Sequence, residues 1–459
     1  MSQTEAGFPA ELVSAVIKAY DVRGLVGDQI TEDFVRTVGA AFVEALGLRD
    51  DGAIVIGYDM RESSPGFAEA FAQGAMQHGV DVVLIGLCST DGLYFASGSL
   101  DLPGAMFTAS HNPAAYNGIK MCRAGASPVG QDSGLADIAA MVVEGVPEYS
   151  GAAGSLSRRD MLEEYADYLI GLVPDMQRSL RVVVDAGNGM AGLTAPVVLA
   201  KLPVDVTAMY FELDGNFPNH EANPIDPANL VDLQVEVRRT GADLGLAFDG
   251  DADRCFVVDE RGELVNPSTL TALIATQELQ RVPGAPVIHN LITSRAVPEI
   301  IAERGGVPVV TRVGHSFIKA TMAQTGAVFG GEHSGHFYFR DFWRADSGML
   351  AALHVLSSLS ATPEGTTLSH MLEPYSRYVL SGEINTRVED QKAAIEAVRE
   401  HFAGRDVTFS DLDGLTIDGE SWWVNVRPSN TEPLLRLNVE APDEAWMAQL
   451  RDEVLAVYR

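Results

Sequence analysis

Lysine is nearly missing from this chain of 459 residues: it stands at positions 18, 120, 201, 319 and 392 and nowhere else. Lysine and arginine together number 32 against 63 aspartates and glutamates, a net charge of −31. A surface this negative repels polyphosphates and anionic lipid headgroups alike, which argues against nucleic acid or a membrane as partner. Cysteine is scarce too. Cys88, Cys122 and Cys255 are odd in number and form no CxxC pair, which argues against a disulfide framework or a zinc site and fits a reducing cytoplasm. No apolar run approaches the ~20 residues of a transmembrane helix. The N-terminal stretch MSQTEAGFPAELVSAVIKAY lacks the basic start and apolar core of a signal peptide. What is present is ordinary for a folded chain: 46% hydrophobic and 21% charged residues. At ~150 residues per domain, the length alone predicts about three domains.

The chain alternates strand-like and helix-like segments. Ala53 to Gly57 is a short buried-strand pattern, followed by the loop YDMRESS and a helical apolar pattern from Gly66 to His78. Val80 to Gly86 is strand-like again. Arg181 to Val184 leads into DAGNGMAG and a helix, and Pro286 to His289 leads into NLITSRAV and another helical run. This alternation predicts α/β domains with largely parallel sheets, and the loose repetition predicts three related units. The C-terminal stretch differs. Glu383 to Arg387, Trp422 to Val426 and Leu434 to Val439 read as strands, and Glu389 to Phe402 and Asp443 to Tyr458 as helices, an α+β pattern. Linkers are expected at Ser150 to Ser157, near Asp259, and around Glu373 and Pro374.

Several polar loops carry candidate chemistry. Thr108-Ala109-Ser110-His111-Asn112-Pro113 follows an apolar strand, so Ser110 is placed to attack or carry a phosphoryl group; taken alone, the segment reads equally as a Ser/Asn-Pro turn. GxSxG is absent, so a hydrolase nucleophile elbow is unsupported. In Asp249-Gly250-Asp251-Ala252-Asp253-Arg254, alternating carboxylates on a tight loop converge on a hard divalent cation, and oxygen-only ligation suits Mg2+. An EF-hand shares the acidic spacing, with Glu260 at its last position. Arg254 stands where that loop needs glycine, and the flanks are strand-like, so the calcium reading is set aside. Gly330-Gly331-Glu332-His333-Ser334-Gly335-His336 offers groups for sugar hydroxyls and an anion; its two histidines lack further ligands for zinc. Arg427-Pro428-Ser429-Asn430-Thr431-Glu432-Pro433, between two strands, offers a guanidinium and successive donors for a phosphate, or a plain polar hairpin. Lys18 to Gly24 places Arg23 beside a glycine, and Gly314 to Lys319 supplies His315 and a lysine in a loop.

In this order, KAYDVRG, TASHNP, DGDADR, GHSFIK, GEHSGH and RPSNTEP resemble the α-D-phosphohexomutase superfamily, and within it the bacterial phosphomannomutase/phosphoglucomutase group. GEHSGH is also similar to the GEQSGH loop of N-acetylglucosamine-type mutases. Ser89-Thr90-Asp91 departs from the Thr-Pro of many members. The resemblance implies four domains around a central cleft, one more than length predicts. Three are related α/β domains, at 1–153 with a phosphoserine loop, 154–257 with a metal loop and 258–372 with a sugar loop. The fourth is an α+β domain at 373–459 with a phosphate loop.

It further implies reversible phosphoryl transfer between hexose 6-phosphate and hexose 1-phosphate, of mannose and/or glucose. The route runs through a phosphoserine at Ser110 and a hexose 1,6-bisphosphate that also serves as activator. The expected metal ligands are Ser110, Asp249, Asp251 and Asp253, holding Mg2+. Arg23 and Arg254 would stabilise the transferring group. Lys120 and His315 would move the proton, with the base undecided between them. Tyr20, His111, Glu332, Ser334, His336, Arg427, Ser429, Asn430 and Thr431 would bind the phosphosugar. The expected partner is a small phosphosugar, with no nucleic acid and no membrane, on a cytoplasmic monomer or homodimer. Readings kept beside this one are a phosphoglucosamine or N-acetylglucosamine-phosphate mutase, a Mg2+-dependent phosphatase, and a non-catalytic phosphosugar-binding protein. The net −31 would then coexist with basic residues concentrated in the motif loops, a basic cleft inside an acidic shell.

Overall fold

The computed structural model describes residues 7–429 and 434–459, with the side chains at 50, 51, 315 and 316 outside the described set. The chain packs as two compact units, Met1–Val265 with Ser334–Ser369, and Asn266–His333 with His370–Arg459.

In the first unit, the strand Ala53–Tyr58 is buried along its middle and pairs in parallel with Asp81–Leu87 on one side and Gly104–Phe107 on the other. Burial on both faces is what a near-continuous apolar run such as AIVIG selects. The helix Ser64–Gln77 makes the crossover between the first two of these strands and buries Phe67, Phe71 and Ala75. Tyr116–Arg123 runs antiparallel to Gly104–Phe107, and Val22–Leu25 lies antiparallel beyond it, with Arg23 opposite Gly118. A Cβ on Gly118 would stand 2.2 Å from the Val22 carbonyl oxygen, so glycine is required for that approach. Leu156–Arg158, overlapping the end of the expected linker, adds as a parallel edge strand on Asp81–Leu87.

A second sheet in this unit has the order Leu264–Val265, Cys255–Asp259, Leu244–Phe248, Leu180–Asp185, Val204–Met209. Its last three members are parallel, and Cys255–Asp259 is antiparallel to Leu244–Phe248. The carboxylate loop is therefore the connection between two antiparallel strands, which removes the helical flanks an EF-hand needs. Phe337–Phe339 pairs with Ala345–Asp346 before the buried helix Gly348–Ser360, whose N-cap is Ser347.

In the second unit, Pro286–Asn290 is parallel to Val307–Thr311 and to Phe329–Gly331. Asn266 caps the helix Pro267–Arg281, with proline in the first turn, where its missing N–H costs nothing. His315–Thr325 is a helix, whereas the sequence predicts a loop there; Gly314 at φ 135 turns the chain into it. The C-terminal sheet is antiparallel, in the order Val379–Leu380, Leu434–Ala441, Trp423–Pro428, Leu415–Asp418, Thr408–Ser410, with Ile384–Arg387 also paired to Leu434–Ala441. Helices Gln391–Phe402 and Glu444–Tyr458 bury Val398, Phe402, Leu450 and Val454 against it. Asp443 accepts the Trp446 N–H as the cap of the last helix. Among the described residues no helix is long and apolar enough to cross a membrane.

Candidate active site

Three loops of the first unit leave the C-terminal ends of parallel strands: Asp59 to Ser63 after Ala53–Tyr58, Thr108 to Pro113 after Gly104–Phe107, and Asp249 to Arg254 after Leu244–Phe248. This is where open α/β sheets gather their chemistry. Ser110 lies on the second loop, 6% exposed, with φ at 50°, a left-handed conformation rare for a residue with a side chain. Its N–H donates to Thr108 Oγ1 at 2.9 Å, and its hydroxyl donates to Asp249 Oδ2 at 2.8 Å. A Cβ at Gly250 would fall 2.3 Å from the Ser110 carbonyl oxygen, so that glycine is what lets the two loops meet.

The three aspartates are fully or almost fully buried, and one oxygen from each lies within 4.8 Å of the others. Arg254 donates through Nε to Asp249 Oδ2 at 2.9 Å. Lys120 Nζ donates to Asp251 Oδ2 at 2.6 Å and to Asp253 Oδ2 at 2.5 Å. Thr90 donates through its N–H to the Asp251 carbonyl at 2.9 Å and through its hydroxyl to Asp251 Oδ2 at 2.6 Å. Asp251 Oδ1 stays buried without a hydrogen-bond donor among the described residues. An acceptor-only cage of carboxylates plus a serine oxygen, with Asp253 Oδ1 orphaned of hydrogen bonds among the described residues as well as Asp251 Oδ1, fits a hard divalent cation.

Charge follows from these contacts. Burial drives Asp249 above the usual carboxylate range despite Arg254. Burial and Asp253 press Asp251 upward, but the Lys120 ammonium outweighs them and holds it low; Asp253 is held lower still by Lys120, His336 and Arg254. The two carboxylates overcome the burial of Lys120 and keep it charged. Burial and the Arg254 and Arg23 guanidinium groups press the His111 imidazole down to about 3, so His111 is neutral and its Nδ1 accepts from Arg254. Arg23 donates to Asn112 Oδ1 at 2.7 Å and pairs with Asp21. His336 Nε2 stands 3.5 Å from Asp253 Oδ1, and its Nδ1 faces the Ser334 hydroxyl. The basic groups of this unit thus meet carboxylates, which offsets the local positive charge the sequence predicts. Tyr20 is 36% exposed.

Sequence reasoning passed over several residues here. Arg61, 2% exposed, donates to the carbonyls of Ser110, Asn112, Pro113 and Tyr116 and to Asp59. Thr90 reaches the carboxylate loop, and Asp346 joins Asp253 and His336 in a second close carboxylate–imidazole group. The position of Asp59 and Arg61, just past a strand end like Ser110 and Asp249, was the available signal.

In the second unit, buried Glu332 accepts the Gly314 N–H at 3.2 Å. Arg427 and Asn425 share one face of Trp423–Pro428, opposite Arg436 and Asn438. Arg427 donates to Asn438 Oδ1 at 2.9 Å and to Asn425 Oδ1 at 3.3 Å, and pairs with Glu383. Burial lowers the Arg427 pKa, with Glu383 opposing and Arg436 adding to the effect. The Ser429 N–H donates to the Leu434 carbonyl. Asn430, Thr431 and the His315 side chain lie outside the described residues. The sugar-loop motif divides between the units, with Glu332 in the second and Ser334 and His336 in the first.

Comparison with known proteins finds family models along most of the chain. Phosphoglucomutase/phosphomannomutase models match in order: alpha/beta/alpha domain I over residues 14–144, domain II over 163–262, domain III over 266–378, and the C-terminal domain over 383–457. The chain is 38% identical over 442 residues to "Phosphohexose mutases" of Xanthomonas campestris, covering 96% of this chain and 98% of that one. It is 37% identical over 448 residues to a phosphomannomutase of Vibrio cholerae, covering 95% and 96%. A phosphoglucomutase/phosphomannomutase family protein from Burkholderia thailandensis superposes with a TM-score of 0.87 at 32% identity, covering 96% of both chains. The chain belongs to the phosphoglucomutase/phosphomannomutase family of enzymes, with three α/β/α domains and a C-terminal domain.

Proposed function

We propose that this mutase interconverts the 6- and 1-phosphates of mannose and/or glucose, with Ser110 as the phosphoryl carrier. The observation that carries the reading is the Ser110 hydroxyl at 2.8 Å from Asp249 Oδ2, at the meeting point of the two loops. Ser110, Asp249, Asp251 and Asp253 would hold the metal, and the all-oxygen donor set favours Mg2+. When bound, that ion supplies neutralisation of the phosphoryl charge.

The chain's own groups then have separable tasks. A sugar hydroxyl oxygen attacks phosphorus on phosphoserine 110, the bond to Oγ breaks, the hydroxyl proton passes to a base, and the leaving Oγ takes up a proton. The product of this half-reaction is a hexose 1,6-bisphosphate and free Ser110. After reorientation Oγ gives up its proton and attacks the other phosphoryl group, the bond to the sugar oxygen breaks, and that oxygen takes up a proton. Lys120, held between Asp251 and Asp253, and His315 are the two candidates for moving the proton, with the base undecided between them. Arg254 and Arg23, fixed by Asp249 and by Asn112 and Asp21, are preorganised donors for the moving group. His111, uncharged, would contact the substrate with Tyr20. Glu332 and Ser334 would hold sugar hydroxyls, and Arg427, Ser429, Asn430, Thr431 and His336 the distal phosphate.

We retain the domain limits 1–153, 154–257, 258–372 and 373–459, a cytoplasmic location, which the three buried free cysteines favour, and a monomer or homodimer as the working form. The deciding experiment compares turnover of mannose, glucose, glucosamine and N-acetylglucosamine phosphates with hexose 1,6-bisphosphate supplied. Preferential turnover of mannose and glucose phosphates is expected. Preference for an amino sugar, or release of inorganic phosphate in place of the isomer, would replace the reading by a phosphoglucosamine-type mutase or a phosphatase.

A further inference from the structure

We propose that Arg61 is a positioning residue of the transfer reaction: its guanidinium holds the Ser110 loop in the one conformation that aims Oγ at the carboxylate loop. The inference rests on Ser110 being the phosphoryl carrier. Arginine offers five N–H donors in a fixed plane, and here all five are used. Nε donates to Asp59 Oδ2 at 3.2 Å. Nη1 donates to the carbonyls of Pro113 at 3.0 Å and Tyr116 at 3.1 Å. Nη2 donates to the carbonyls of Ser110 at 3.0 Å and Asn112 at 2.7 Å.

Four carbonyl oxygens of one short loop are thereby turned towards a single point, where they would repel one another without a cation. The Pro113 carbonyl also accepts the Tyr116 N–H at 3.0 Å, but the group that gathers all four carbonyls is the guanidinium. The guanidinium is itself fixed. Asp59 accepts the Arg61 N–H at 3.0 Å and the Ser64 hydroxyl at 2.6 Å, and Asn117 Nδ2 donates to Ser64 Oγ at 2.9 Å. The Phe217 ring lies 5.2 Å from the guanidinium carbon, and a Cβ on Gly215 would stand 2.8 Å from Arg61 Cα, so the residue is enclosed from the other side as well.

The held atom that matters most is the Ser110 carbonyl. It accepts from Arg61 on one side and abuts Gly250 on the other. Ser110 sits at φ 50°, which an L-residue adopts only where its surroundings over-determine it. With the Arg61 bond present, the left-handed turn sets Oγ against Asp249. Without it the peptide is free to relax to negative φ, which swings Oγ away. All five Arg61 donors are spent on protein acceptors, which leaves none for the sugar. The signature is therefore a loss of kcat with KM little changed.

The test uses full-length Arg61→Lys and Arg61→Ala enzymes with Mg2+, thermal melts to establish folding, and intact-protein mass to follow phosphate transfer from glucose 1,6-bisphosphate to Ser110. Arg61→Lys is expected to melt cooperatively, lose roughly 100-fold in kcat with KM within about threefold, and take up phosphate correspondingly slowly. Guanidinium ion at tens of millimolar should restore Arg61→Ala by about tenfold, while methylammonium should not. If Arg61→Ala does not fold, Ser64→Ala, which removes one donor to Asp59 and one acceptor of Asn117, should show a smaller kcat loss with the same KM behaviour. Turnover of Arg61→Lys within about threefold of wild type would overturn the proposal. So would a KM that rises as steeply as kcat falls. A wild-type chain that takes no phosphate on Ser110 would overturn the carrier reading instead, so the two failures are distinguishable.

Discussion

In the first unit a lysine sits among aspartates; in the second a glutamate sits against an arginine. Both constellations neutralise a charge that the proposed reaction needs exposed to ligand: the carboxylates for a cation, the guanidinium for a phosphate. They differ in burial. Asp251 and Asp253 are 0% and 2% exposed at the side chain and Lys120 17%; Arg427 is also buried, at 6%, but its counter-charge Glu383 is 28% exposed and bridges to Arg436 at 37%. An ion pair in a dry site is expensive to break one-sidedly, because the survivor is left desolvated. A counter-charge at the surface is screened and easily exchanged. The carboxylate loop is thus a permanent fixture with its own internal cation, and the arginine a site whose guard is displaced at small cost.

The largest effect expected is on the carrier itself. Ser110→Ala should keep the fold and lose roughly three orders of magnitude in turnover or more, read in a coupled isomerase assay. Substantial residual activity would remove the serine from the chemistry. Next comes the carboxylate loop. Asp251→Asn should lower turnover about 100-fold and shift the divalent-cation dependence to higher concentration, because one of the oxygens is lost and Lys120 loses a partner. An unchanged metal titration would place the cation elsewhere.

Lys120→Met tests the buried half of the comparison directly. Removing the ammonium leaves Asp251 and Asp253 desolvated and short of their main counter-charge, at a cost of about 3–5 kcal/mol. A melt without divalent cation should therefore drop sharply, and millimolar Mg2+ should restore much of it, by a larger shift than in wild type. Equal Mg2+ shifts in the two proteins would mean that cation and ammonium do not compete for the same oxygens. In the second unit, Arg427→Ala should raise KM for the phosphosugar about 10- to 100-fold, the scale of one charge-assisted hydrogen bond, and leave kcat nearer to wild type. An unchanged KM would remove Arg427 from the phosphate loop.

The same division between buried and exposed explains what could be read from the sequence. Strands at Ala53–Tyr58, Leu180–Asp185 and Leu244–Phe248 announce themselves because their apolar runs face packing on both sides. Leu156–Arg158 and Thr408–Ser410 do not, because every residue in them is exposed and no pattern distinguishes an edge strand from a loop. Ser110 and the three aspartates were legible because their residue types carry the chemistry locally. Lys120 was legible as a candidate, but its seat between Asp251 and Asp253, from 131 and 133 positions away, is a product of the fold. Arg61 was invisible for a related reason. In YDMRESS it reads as a polar loop residue, and its five donors acquire meaning only when the Ser110 loop arrives from the neighbouring strand.

The smallest effect expected belongs to Glu383, and its sign decides whether the comparison is right. Arg427 and Arg436 are directly opposed across two antiparallel strands, with their side chains on one face. Like charges so placed repel, and Glu383 relieves this by contacting both. A substrate phosphate supplies the same relief with more charge, so phosphate and carboxylate compete for Arg427. Glu383→Gln should leave the guanidinium pair short of negative charge and lower KM for the phosphosugar by about threefold, with the gain fading as ionic strength rises. The melt should scarcely move, in contrast to Lys120→Met. Should KM rise instead, Glu383 would be an orienting partner that Arg427 needs in place, the half-exposed counter-charge would behave like the buried one, and the distinction between the two units would collapse.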